Sequence, residues 1–124
     1  MTPAVPDRTR RGPLAALVAA VVVQLVVLYA PSAPSTGGAP LVDKGVHLLV
    51  FLVPTVLALR VGLPPRRVVA LLATHAVLSE VVQGAVLPHR SGDPLDAVAD
   101  LVGVGLGAML VLARRRSGGA RPRW

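Results

Sequence analysis

The residues best suited to chemistry fall in three short groups. Asp43, Lys44 and His47 stand together, with Asp43 and His47 at i, i+4 spacing. Glu80 and Gln83 follow at i, i+3. Arg90 precedes Asp93, Asp96 and Asp100, whose i, i+3, i+7 spacing lines one side of a helix. Carboxylates can act as general bases, an arginine can hold a phosphate, and several carboxylates can hold a hard cation through oxygen ligands. The tight His/Asp motifs of a soluble metallohydrolase are missing. The sequence therefore leads us to expect no metal and no other cofactor, and it assigns no catalytic residue.

The elements that must position these groups are apolar. The chain has 124 residues, enough for one domain. Hydrophobic residues make up 53% and charged residues 15%, with a mean hydropathy of +0.66. Soluble domains carry about 25% charged residues, so an ordinary soluble domain is excluded. There is no cysteine, which rules out disulfides, thiolate metal sites and cysteine nucleophiles. The only aromatic residues are Tyr29, Phe51 and Trp124, too few for a base-stacking surface. No nucleic-acid partner is expected, despite a net charge of +7.

Hydropathy predicts an all-α, integral membrane four-helix bundle. Residues 1–13 read as a disordered basic tail. The predicted spans cover about 14–30, 45–60, 67–87 and 94–113, followed by a basic tail over 114–124. The first run is slightly long for the apolar part of a signal peptide and lacks a clean small-x-small cleavage site near Ala30, so it reads as a span. Tyr29 at its end suits a membrane interface. Residues 31–42 form a Pro/Ser/Gly loop, and Asp43 is expected to cap the second helix. Pro54 should kink that helix, and VGLPPRR makes a tight basic turn. Asp93 and Pro94 are helix-start signals for the fourth.

Basic residues set the expected topology. All of the thirteen except Lys44 and Arg90 fall in the two tails or in the turn between the second and third helices. The positive-inside rule then puts both termini of a multi-pass membrane protein in the cytoplasm. Of the six carboxylates, all but Asp7 lie on the outer side. Counted along the helices, Glu80 sits roughly 12 Å, Asp100 roughly 9 Å and His47 roughly 6 Å below the outer ends. One layer could hold them all. The acidic stripe continues to Gly103 and Gly107, whose Gly-x-x-x-Gly spacing lets another helix approach, so the acids are expected to face the bundle interior. Lys44 and Arg90 are the outer cations available to offset them. His75 and Ser79 read as packing groups, Ser79 bonding back to its own helix.

Asp43-Lys44-x-x-His47, Glu80-x-x-Gln83, Arg90-Ser91-x-Asp93-x-x-Asp96 and a glycine-rich close together resemble the VanZ-like family of small bacterial membrane proteins. That family takes its name from low-level resistance to the glycopeptide teicoplanin. The resemblance spans about Asp43 to Gly107. Position 100, where the resemblance implies Asn, holds Asp100 and adds a charge.

The resemblance implies an envelope role. The expectation is a polar, outward-facing intramembrane site formed by Asp43, Lys44, His47, Glu80, Gln83, Arg90, Asp93, Asp96 and Asp100. It would bind a group of a membrane lipid or lipid-linked cell-wall precursor and affect teicoplanin susceptibility. One alternative is an outer-leaflet enzyme acting on a phospholipid or lipid-linked substrate, with Glu80 as general base and Arg90 on a phosphate. The other is an assembly subunit whose charges only specify the helix arrangement.

Overall fold

The computed structural model describes residues 8–31, 39–88 and 90–119. They form four α-helices: α1 (Arg8–Tyr29), α2 (Pro40–Arg60), α3 (Pro65–Ala85) and α4 (Pro94–Gly119). The described residues contain no strand. Each helix contains a stretch long and apolar enough to cross a membrane.

α3 lies two residues earlier than the 67–87 read from hydropathy, and three other boundaries differ by more. α1 begins at Arg8 rather than 14 and carries Pro13 in its second turn; residues 1–7 of the expected tail lie outside the described residues. α2 begins at Pro40, so Asp43 falls inside the first turn and Ala39, which makes no side-chain bond, is the N-cap. Proline at the first helical position sacrifices no backbone bond, which is why the helix starts there. Asp43 still faces the positive end of the helix dipole. α4 continues to Gly119, so Arg114, Arg115 and Arg116 are helical rather than tail. Backbone bonding does not stop where apolarity stops, and arginine is a good helix former. Most of the loop expected over 31–42, namely 32–38, together with His89 and 120–124, lies outside the described residues.

The α2–α3 turn has a local cause. Gly62 adopts φ +93. Its N–H donates to the Leu59 carbonyl and that of Leu63 donates to the Ala58 carbonyl. This pair of bonds closes the end of α2 and requires a left-handed residue, which glycine supplies without a Cβ clash. Pro64 and Pro65 then start α3.

The most extensive interface is between α2 and α4. Contacts advance along both helices in the same direction. Lys44 meets Asp96, His47 meets Asp100, Leu48 approaches Gly103, Thr55 approaches Gly107, and Arg115 donates to the Leu59 carbonyl. The two helices are therefore parallel. A Cβ on Gly103 would collide with the Leu48 carbonyl oxygen, and one on Gly107 would sit 2.9 Å from the Leu52 carbonyl oxygen. Absent side chains allow that approach. Phe51, Leu59, Ala76, Val104 and Ala108 form the core with Leu28. Pro54 is buried within α2, and the helix runs on through it.

The distribution of polarity is inverted relative to a soluble bundle. Gln24, His47, Glu80, Asp96 and Asp100 are buried, whereas Val22, Val26, Leu71, Leu78 and Met109 are exposed. Such an exterior suits contact with lipid.

Candidate functional site

The site is assembled at the end of the bundle where α2 and α4 begin and α3 ends. In α4, Asp96 and Asp100 point inward because they share the face of Gly103 and Gly107, which packs on α2. In α2, His47 lies one turn beyond Asp43 and faces the same seam. In α3, Glu80 and Ser79 are both buried, and the Ser79 hydroxyl donates to the Ala76 carbonyl at 2.9 Å, as expected.

Two linked clusters result. In the outer one, the Lys44 ammonium donates to Asp93 Oδ2 and Asp96 Oδ1, both at 2.6 Å. Asp93 precedes α4, and its other oxygen accepts the Leu95 N–H at 2.8 Å, a helix-start bond. The Lys44 ammonium, aided by that N–H, holds the Asp93 carboxyl below its ordinary range. In the inner cluster, His47 Nδ1 lies 3.0 Å from Asp100 Oδ1 and 3.8 Å from Glu80 Oε1. The opposite ring nitrogen, Nε2, is 3.9 Å from Asp96 Oδ2, so His47 joins the two clusters. Glu80 Oε2 accepts the Asp93 backbone N–H at 2.9 Å, which ties α3 to the start of α4.

Gly92 permits that tie. A Cβ there would stand 2.5 Å from the Glu80 carbonyl oxygen. The loop can lie against α3 because this residue has no side chain.

Asp43 is half-buried and offers a carboxylate oxygen within 4.8 Å of donor atoms of His47 and Asp96. Arg90 and Gln83 belong elsewhere. The Arg90 guanidinium donates to the carbonyls of Leu28 at 2.9 Å and Val27 at 2.8 Å, and to Gln83 Oε1 at 3.1 Å. It closes the end of α1, whose last carbonyls have no helical partner. The expected offset of the carboxylates by Arg90 is thus not what its hydrogen bonds serve. Among the described residues, Lys44 performs it, for Asp93 and Asp96.

Sequence reasoning passed over three groups. Gln24 is 1% exposed, and its Nε2 has no partner among the described residues. A lone amide in a 17-residue apolar run was the available signal. Thr55 is buried and donates to the Phe51 carbonyl. The third is the partnership of Tyr29, whose hydroxyl lies 3.0 Å from His75 Nε2, with Phe51 beside the same imidazole. Nothing in a single sequence pairs residues 46 positions apart.

Chemically, the inner cluster is an acceptor-rich group of side chains with one imidazole. Glu80 Oε1 and Asp100 Oδ2 accept no hydrogen bond from the described residues. The arrangement can take a cation, a hydrogen-bond donor or a proton. A phosphate would meet carboxylates first, because both nearby strong cations are already engaged. No family model, curated protein or solved structure matches the chain.

Proposed function

We propose that the chain is a VanZ-like protein of a bacterial cytoplasmic membrane, with both termini cytoplasmic. Its polar cluster opens to the outer face and binds a headgroup of an envelope lipid or lipid-linked cell-wall precursor. Altered handling of that component changes susceptibility to teicoplanin. The observation that carries the reading is the convergence of His47, Glu80 and Asp100 from three helices, buried, with carboxylate oxygens that accept no hydrogen bond from the described residues. A bundle held together by charge alone would gain nothing from leaving such atoms unsatisfied, since each costs about 1–3 kcal/mol. The enzyme alternative is weakened because Arg90, its phosphate clamp, is engaged by α1 carbonyls.

The test uses a photoreactive residue in place of Leu95, which is exposed beside Asp96. Illumination in living cells is expected to capture a phospholipid or polyprenyl-linked species. Capture of protein alone would count against the reading. In parallel, a sensitive host carrying wild type should tolerate more teicoplanin than one carrying Glu80→Gln or Asp96→Asn at matched membrane abundance.

A further inference from the structure

The inner cluster has a charge problem that its visible partners do not solve. Glu80 is 7% exposed and Asp100 fully buried. Lys44 is engaged by Asp93 and Asp96, and Arg90 by carbonyls and Gln83. That leaves the His47 imidazole as the basic side chain within 4 Å of either acid among the described residues. Two ionised carboxylates in a low-dielectric site need positive charge beside them.

From this we infer that His47 Nδ1, Glu80 Oε1 and Asp100 form a divalent-cation site for Mn2+ or Zn2+. One donor atom from each of the three residues lies within 4.8 Å of the others. Bonds of about 2.0–2.2 Å to a tetrahedral ion put its donors about 3.3–3.6 Å apart. His47 Nδ1 stands 3.0 Å from Asp100 Oδ1 and 3.8 Å from Glu80 Oε1, which bracket that spacing. Small side-chain rotations suffice to close the set. Asp100 Oδ2, which is not one of those donor atoms, is buried and has no hydrogen-bond partner among the described residues, and Glu80 Oε1 likewise has none. A buried carboxylate oxygen that no described protein group satisfies is an acceptor a cation could engage.

The surroundings fit as well. A ligating imidazole commonly turns its other N–H toward a carboxylate, which sets the tautomer and the ring plane. Here Nε2 faces Asp96 Oδ2 at 3.9 Å, and Asp96 is held by Lys44. Mixed nitrogen and oxygen donors suit Zn2+ and Mn2+ better than the all-oxygen cations Ca2+ and Mg2+. Three protein ligands leave a coordination position open. This deepens the headgroup reading and rests on it for its biological meaning: a bound cation supplies the positive charge that a headgroup phosphate requires and that Lys44 and Arg90 do not.

The test is equilibrium dialysis of the full chain, purified in detergent and stripped with chelator, against Mn2+ and against Zn2+. No lipid substrate is present. Saturable uptake of one ion per chain is expected for at least one of the two metals. Glu80→Gln and Asp100→Asn should each weaken it at least about tenfold. His75→Gln, which removes a histidine outside the cluster, should leave it unchanged. Wild-type protein that takes up neither ion saturably overturns the inference whether or not the variants fold. So does equal uptake by folded Glu80→Gln and Asp100→Asn proteins. Either failure leaves the crosslinking test of the headgroup reading untouched, and the two proposals can fall separately.

Discussion

Lys44 is the residue on which the outer cluster turns. Its two partners differ in burial: the Asp93 side chain is 39% exposed and that of Asp96 8%. Removing the ammonium leaves Asp93 to water but strands Asp96. Lys44→Met should therefore destabilise the bundle by about 1–2 kcal/mol, a figure discounted for the partial exposure of the pair. Asp93→Asn should cost visibly less in the same thermal melts in detergent. An equal effect would mean that Asp96 draws no support from Lys44. The Asp93 carboxyl is held below its ordinary range, so its contribution is complete above the unfolded carboxylate pKa of about 3.9 and is lost as pH falls through the lower folded value. The difference in melting temperature between wild type and Asp93→Asn should be flat above about pH 5 and close as pH drops below about 4.

At the scale of the element, the α2–α4 seam decides where the acids point. The face that buries Gly103 and Gly107 also carries Asp96 and Asp100, so close packing of two backbones carries the carboxylates inward. Gly103→Ala and Gly107→Ala each place a methyl group against α2 backbone or Thr55. Overpacking of that kind costs about 1–3 kcal/mol. Gly105 has open space around it, so Gly105→Ala should be neutral or slightly stabilising through helix propensity. Thermal unfolding of the three variants in one detergent checks the contrast. Similar losses at all three positions would show that the seam is not the constraint. Arg115 reinforces the seam at its other end by donating to the Leu59 carbonyl of α2. This use of a basic residue goes beyond marking topology.

For the molecule as a whole, the proposed orientation can be tested with unusual cleanliness because the chain has no cysteine. Single cysteines at Ser91, in the loop before α4, and at Ser117, near its end, are both exposed. With cytoplasmic termini, a membrane-impermeant maleimide should label Ser91→Cys in intact cells and Ser117→Cys only after permeabilisation. The reverse pattern would invert the bundle and turn the polar cluster toward the cytoplasm. That outcome would remove the envelope reading while leaving the cation site standing.

Much of this architecture was legible from local sequence. Four apolar runs separated by proline-, glycine- and arginine-rich turns determine four helices, because a helix satisfies its own backbone bonds and needs only an apolar surface to sit in lipid. The i, i+3, i+7 stripe of Asp93, Asp96 and Asp100, continued by Gly103 and Gly107, is also a local property, since helical periodicity alone puts those residues on one face. Helix ends were less legible: hydropathy stops at Ala113, but α4 runs on through Arg116 because its backbone bonding is indifferent to side-chain polarity. What only the tertiary structure decided is which charge meets which. Lys44 and Arg90 looked equivalent as outer cations. Packing α1 against the loop after α3 brings Arg90 to the carbonyls of Val27 and Leu28, while the α2–α4 seam brings Lys44 to Asp93 and Asp96. Pairing across dozens of residues depends on interhelical contact, on which local periodicity is silent. The sharing of His47 between Glu80, Asp96 and Asp100 arises from that same three-helix contact.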